Sequence, residues 1–267
     1  MELLLGMILI IGGVAYSIYM YRKRVGQTAD MRETSTSSVY DAVTMLKKAQ
    51  KKKENSRCYV ELKGQAKGDT LMKAPFSGRE AVYYLNICRC VTEKTQNGKD
   101  KEGNTRAYTA QKEHEIFSEH SSQCIYIQDA KTGNKIYVDV DRFGENAQLL
   151  KVWDRLESEV PSWLSNRPEW LAFQEAMDHN PDVRFLGCHL IEWIVSKDQD
   201  LYLLGELYRQ EDQYYIGGTE ESKKRSCLSY KTEAQLVHEF SGKKWLSLGI
   251  GGLAAAAGAF LVIVSLL

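Results

Sequence analysis

The chain is apolar at both ends and polar between them. Leu3 to Met20 (LLLGMILIIGGVAYSIYM) contains no charged residue over its 18 positions. At ~1.5 Å of rise per residue it predicts a helix of about 27 Å, just long enough for a hydrocarbon core of ~30 Å. Leu246 to Leu267 (LSLGIGGLAAAAGAFLVIVSLL) is uncharged over 22 positions and predicts a second span. The first segment reads as an uncleaved anchor. A secretory signal carries positive charge before its apolar run and a small-residue cleavage site after it, whereas here Met1 and Glu2 precede, and Tyr21, Arg22, Lys23 and Arg24 follow. Lys243, Lys244 and Trp245 precede the second segment. Both basic flanks therefore lie toward the middle of the chain, and positive-inside bias predicts a cytoplasmic middle, or its topological equivalent.

Residues 21–56 read as a linker and a basic helix. Gly26 to Ser38 is polar and rich in Thr and Ser, as linkers are. Val39 to Lys53 predicts a helix with Ser38 as N-cap and Val39, Val43, Leu46 and Ala49 on one face. Its lysines, Lys47, Lys48, Lys51, Lys52 and Lys53, would suit an anionic membrane surface at ~1 kcal/mol each. With Tyr40 as the sole aromatic, a solvated helix leading into the fold is the better reading.

Residues 57–244 then predict a globular domain that begins in strands. Cys58 to Lys63 is extended, and Glu80 to Thr95 alternates, with Val82, Tyr84, Asn86, Cys88 and Cys90 on one face and Tyr83, Leu85, Ile87 and Arg89 on the other. Gln96 to Asp100 supplies turn chemistry and Thr105 to Ser118 a partner strand. A second hairpin joins Cys124–Asp129 to Lys135–Asp141. Glu145 to Glu159 places Leu149, Leu150, Trp153 and Leu156 at helical spacing, and Pro161 would stop that helix. Pro168 to His179 predicts another helix with proline in its first turn. Strands follow at Val183–Val195, Leu201–Tyr208 and Gln213–Ile216, and Thr232 to Phe240 predicts a short helix that feeds the second span. The class is α+β: an antiparallel-sheet-rich globular domain flanked by two transmembrane helices.

Lys plus Arg and Asp plus Glu each number 35, so charge gives no reason to expect nucleic acid as a partner. Cys58, Cys88, Cys90, Cys124, Cys188 and Cys227 show no spacing of a secreted disulfide framework, and a cytoplasmic domain would keep them reduced. Structural zinc sites use paired ligands such as Cys-x2-Cys, which does not occur; Cys88-x-Cys90 places two thiols on one strand face, more often core than ligand. Cys188 and His189 are adjacent, but neighbours on a strand point to opposite faces, which argues against a nucleophile–base pair. His114 and His120 lie in polar surroundings. No nucleophile elbow, phosphate-binding glycine loop or His-Glu-x-x-His is present. No catalytic, cofactor-binding or metal-ligating residue is therefore assigned, and no cofactor is expected. In the second span Gly251, Ala255 and Ala259, with Gly252 and Ala256, recur at spacings of four. Such a face could pack on Gly12 and Gly13 of the first span, on a membrane-protein partner or on a second copy.

Four segments taken in order carry a family likeness: Tyr59–Gly64 (YVELKG), Ala74–Tyr84 (APFSGREAVYY), Ile127–Asp129 leading through Thr132-Gly133 to Val138–Val140, and Leu201–Leu207 (LYLLGEL) with Tyr215-Ile216. Together with the two-span frame they resemble the GIDE, or Beside-A-Membrane, domain of the Mulan family of membrane-embedded E3 ubiquitin ligases, over essentially residues 1 to 267. The resemblance implies a domain that senses or binds something beside the membrane. Family ligases carry a RING after the second span, on the other face of the membrane, and none of its ligands has a counterpart before Leu267, so ligase catalysis is not carried over. In mitochondrial members the domain faces the intermembrane space, and prokaryotic relatives without a RING also exist. The expected function is a membrane-tethered, non-catalytic interaction or sensor module in contact with the lipid bilayer. The alternatives are a component of a ubiquitin-ligase system and, further off, a cysteine hydrolase using Cys90 or Cys188. The expected location is the plasma membrane in a prokaryote, or a mitochondrial or plastid membrane in a eukaryote.

Overall fold

The computed structural model describes residues 2–99, 105–219 and 224–266. In chain order the elements are α1 (Glu2–Glu33), β1 (Thr36–Ser37), α2 (Val39–Gln50), β2 (Cys58–Gln65), β3 (Met72–Lys73), β4 (Glu80–Ala81), β5 (Tyr83–Lys99), β6 (Thr105–His120), β7 (Ile125–Gln128) and β8 (Lys135–Val138). Then come α3 (Val140–Phe143), a 3-10 turn (Gly144–Asn146), β9 (Ala147–Gln148), β10 (Leu150–Glu157), α4 (Pro168–Asp178), β11 (Val183–Val195), β12 (Asp200–Gln210), β13 (Gln213–Gly217), β14 (Cys227–Ser229) and α5 (Glu233–Leu266). The α+β class with mainly antiparallel sheet and a long apolar helix at each end is as the sequence predicts. The chain divides into two compact units, the first comprising Met1–Gln65, Tyr126–Gln148 and Asp200–Leu267 and the second Ala66–Ile125 and Leu149–Gln199.

The first unit is organised around β12. That strand pairs antiparallel with β2 (Leu203↔Leu62), β13 (Leu207↔Ile216) and β14 (Leu203↔Leu228), and β1, β8, β7 and β9 extend the sheet. Leu201, Tyr202, Leu203, Leu204 and Leu207 are all buried, so LYLLGEL reads as a near-continuous apolar run because both faces of the strand are covered. Gly205 is required where it stands, since a Cβ there would overlap the Gly217 carbonyl. α2 contacts β2 and β12 and buries Val39, Ala42, Val43 and Leu46; its N-cap is the expected one, with Ser38 Oγ accepting from Asp41 N at 3.0 Å. Met31 of α1 and Leu236 and Phe240 of α5 pack with Tyr202, Leu204 and Cys227.

α1 and α5 lie against each other along much of their length. A Cβ on Gly6 would come 2.7 Å from the Gly258 carbonyl, one on Gly13 2.8 Å from the Gly251 carbonyl, and Ser17 Oγ donates to the Ser247 carbonyl at 3.4 Å. These contacts share one antiparallel register, which sets Tyr21 level with Lys243. Both helices are long and apolar enough to cross a membrane, and their apolar side chains stand open rather than buried: Leu4 is 65% exposed, Ile11 66%, Leu253 74% and Phe260 66%. Of the small residues predicted to pack, Gly13, Gly251 and Ala255 meet the partner helix, whereas a Cβ on Gly12 or Gly252 would meet nothing within 4 Å.

The second unit is an antiparallel sheet in the order β10-β11-β5-β6, with the short pair β3–β4 beside it. Cys88, Cys90, Phe117, Leu164, Trp170, Cys188 and Leu190 form its core, onto which Phe173 and Met177 of α4 pack. As predicted, Asn86, Cys88 and Cys90 share the buried face of β5, and α4 starts with Pro168 in its first turn.

Four local expectations are corrected. The linker at Gly26–Ser38 is helical as far as Glu33, because Met31 is buried against α5 and the Asp30 carboxylate accepts from Arg225 N at 2.9 Å, contacts that outweigh the weak propensities of Gly, Thr and Asp. Glu145–Glu159 is not a helix. β10 pairs with β11 from Leu150↔Ile194 to Glu157↔Cys188, and a register shift between Lys151 and Trp153 breaks strict alternation. That break let the apolar residues fall at helical spacing, and Leu156, 57% exposed, marks no buried face. Gln96–Lys99 form no turn: β5 stays paired as far as Lys99↔Thr105, and Asp100 lies outside the described residues. Finally, Thr232–Phe240 is no separate short helix, since α5 is continuous over 34 residues.

Candidate functional site

The thiols come together without acquiring a catalytic partner. Cys90 and Cys188 face each other across β5 and β11 with Sγ atoms 3.7 Å apart, and Cys88, one pleat along, belongs to the same core cluster. All three are fully buried. Hydrogen bonding to Cys188, the neighbouring thiol and burial push the Cys90 thiol well up, so it is no ready nucleophile. His189 points the other way, as strand alternation requires: its Nε2 is 2.6 Å from Asp154 Oδ1 and its Nδ1 3.5 Å from Glu113 Oε1. His114 sits against Thr92 Oγ1 at 3.2 Å, and burial lowers its pKa. Cys124 is exposed, while Cys227 is buried and pushed up to about 12 by desolvation. Among the described residues no cluster of His, Cys, Asp or Glu is disposed to hold a metal ion.

Three of the four segments that carry the family likeness supply or cap buried carboxylates. Glu61 of β2, 1% exposed, accepts from the Tyr202 hydroxyl at 2.9 Å and from Thr36 Oγ1 and pairs with Lys63 at 2.9 Å. Lys63 also reaches Glu233 at the start of α5, at 2.8 Å. Glu206 of β12 is held by Arg57 at 3.2 Å, Arg142 at 3.3 Å and the Thr219 hydroxyl at 2.7 Å. Glu192 of β11 is fully buried and accepts from the amides of Phe76 and Ser77 at 2.8 and 3.0 Å and from the Ser77 hydroxyl; with its amide nitrogen turned inward, Asn86 donates at 3.0 Å. The Pro-Phe-Ser-Gly turn is thus the cap of a buried anion. A carboxylate so fully hydrogen-bonded is structural, because its lone pairs are already engaged.

A cavity of about 770 Å³ opens beside α1. Ala15, Ile18 and Tyr19 line its apolar part, and Arg22 and Lys23 continue the same helix face by i+3 and i+4 steps. Lys224 and Arg225, just before β14, add two more cations, and among the described residues Glu145 is the acidic one in the lining, with Asn146, Thr219 and Ser226 as polar neighbours. Asp30, about two turns along α1 from Lys23, faces Arg225 and accepts from its N–H at 2.9 Å. Lys224 Nζ stands 4.8 Å over the Tyr59 ring, whose hydroxyl donates to the Arg225 carbonyl and fixes that segment. Nothing in the sequence pattern brought residues 15–23 and 224–225 together; their adjacency follows from α1 and β14 packing in one unit.

The architecture defines a class: an α+β sheet protein whose first and last helices are apolar, long enough to cross a membrane, and packed as one pair. A family model described as GIDE, E3 ubiquitin ligase, matches residues 95–263, well over half of the chain, and the protein belongs to that family. Its membership associates it with E3 ubiquitin-ligase systems. No curated protein and no solved structure matches the chain.

Proposed function

We propose that the chain is a membrane-tethered, non-catalytic interaction or sensor module of a ubiquitin-ligase system, with its sheets on the cytoplasmic face or its equivalent. The observation that carries this reading is the continuity of α1 and α5. Each runs unbroken from its apolar part into the sheet, where Met31, Leu236 and Phe240 pack on Tyr202 and Leu204. Two tethers joined rigidly to one sheet hold the module beside the bilayer, which raises its effective concentration toward membrane-bound partners. The burial of Cys88, Cys90 and Cys188 and the saturated carboxylates support a binding role over a catalytic one. A purified full chain mixed with ubiquitin-charged conjugating enzyme is expected to leave the thioester intact; discharge by this chain alone would end the non-catalytic reading.

Family membership favours a second reading, in which the module works with a RING supplied by another chain. Co-purification of a RING protein, and discharge only in its presence, supports this. For sidedness, a variant retaining Cys124 as its sole cysteine is expected to resist a membrane-impermeant maleimide until cells are opened. Labelling of intact cells would place the module on the outer face and overturn the argument from the basic flanks.

A further inference from the structure

We propose that the cavity beside α1 binds an anionic phospholipid, its phosphate among Arg22, Lys23 and Lys224 and an acyl chain along Ala15, Ile18 and Tyr19. This inference rests on the membrane-tethered reading and names the ligand class of that module. The first support is vertical order. One face of α1 passes from apolar to cationic within eight residues, from Ala15 to Lys23, and that is the order a phospholipid presents from tail to headgroup. The second is level. The shared register of Gly13 with Gly251 and Ser17 with Ser247 puts Tyr21 beside Lys243, so the basic residues of both helices emerge at one height, where headgroups lie.

The third support is charge and size. Among the described residues four cations line the cavity against Glu145, with Asp30 facing Arg225 from α1 itself, which leaves those residues net positive. Its volume of about 770 Å³ suits a headgroup and the first carbons of its chains rather than a bare phosphate ion. A soluble anion would use the cations and ignore Ile18 and Tyr19; a lipid uses both. A neutral zwitterionic lipid would fit the apolar wall but offer no net charge to the rim.

The test uses the full chain purified in neutral detergent and titrated with phosphatidylglycerol, with phosphatidylcholine, or with inorganic phosphate, bound lipid being counted by native mass spectrometry. Phosphatidylglycerol is expected to bind at one preferred site and phosphatidylcholine far more weakly. Each Lys or Arg beside an anionic headgroup contributes about 5-fold in affinity, so Arg22→Gln with Lys23→Gln and Lys224→Gln is expected to weaken phosphatidylglycerol on the order of 100-fold. Lys51→Gln with Lys52→Gln and Lys53→Gln removes the same charge from the exposed end of α2 and is expected to leave it unchanged. Because the first triple variant could misfold, Lys224→Gln alone, with an unchanged melting temperature, is expected to lose about 5-fold. Equal loss in the α2 variant, unchanged binding in the cavity variants, or saturation by inorganic phosphate alone would each overturn the proposal. Any of these with Cys124 still shielded from outside labelling sinks the lipid site and leaves the tethered module standing.

Discussion

Gly251 and Gly252 are chemically identical neighbours, and the packing of α1 on α5 predicts opposite fates for them. A Cβ at Gly251 would fall on Ser17 Oγ and 2.5 Å from the Gly13 carbonyl, against about 3.4 Å for ordinary contact, so the helices must part by roughly 1 Å. A gap of that size forfeits about a quarter to a half of the dispersion attraction along the seam, and overpacking of this kind costs about 1–3 kcal/mol. A Cβ at Gly252 meets nothing within 4 Å. Gly251→Leu is therefore expected to lower the melting temperature of the full chain in detergent by about 3–10 °C, while Gly252→Leu leaves it nearly unchanged. A second readout is oxidative cross-linking between Ser17→Cys and Ser247→Cys in a background without native cysteines, which Gly251→Leu should slow and Gly252→Leu should not. Equal losses from the two leucines, or a cross-link indifferent to both, would show that the seam does not run through Gly13 and Gly251.

Three further outcomes are expected. Ser77→Ala removes one bond to the Glu192 carboxylate and should cost about 1.5–3 kcal/mol in urea unfolding; Glu192→Ala, which leaves the part-buried amides of Phe76 and Ser77 without an acceptor, should cost more, and a smaller cost than Ser77→Ala would refute the capping role. Burial raises Cys227 and Tyr208 each to about 12, so the folded state holds protons that the unfolded chain releases nearer the ordinary 9.0 and 10.0. Stability should accordingly be fully present below about pH 8, decline from about pH 9 upward and be lost as pH rises through about 12, and a flat profile over that window would contradict it. In the native protein iodoacetamide should modify Cys124 first and spare Cys88, Cys90, Cys188 and Cys227 until denaturant is added; early loss of Cys188 would reopen the case for a reactive thiol.

Much of the fold was legible in the sequence because several elements announce themselves locally. Ser38 caps α2, Pro168 opens α4, and the alternation of β5 sorts Asn86, Cys88 and Cys90 onto the buried face without any knowledge of the partner strands. The failures have a common physical source in tertiary contact. The stretch after Arg24 looks like linker until Leu236 and Phe240 give Met31 something to pack on, and β10 looks helical until β11 supplies its hydrogen bonds. The cavity was invisible for the same reason. Arg22 and Lys23 read as a topological flank, nothing in the sequence singles out Lys224 and Arg225, and the roughly 200 residues between the two pairs carry no mark of their meeting. The buried carboxylates were half visible: Glu61 and Glu206 lie in segments that supplied the family likeness, but only the structure shows that Glu192 lies beneath the Phe76-Ser77 turn.

The first unit is assembled from three separate stretches of chain, and this has a kinetic meaning. Gly13 and Gly251, which touch in the finished protein, leave the ribosome about 240 residues apart, roughly 10–50 s at ~5–20 residues per second. For that interval α1 waits with its small-residue face unmated, and β2 waits for β12 across most of the same gap. The second unit ends at Gln199 and can complete its sheet meanwhile. Closure of the helix pair must then wait for α5, after both sheets have been made. The interval before it is when another helix with a small-residue face could compete for α1, so a slowed ribosome or a missing insertion factor should tell on this protein first through mispaired α1.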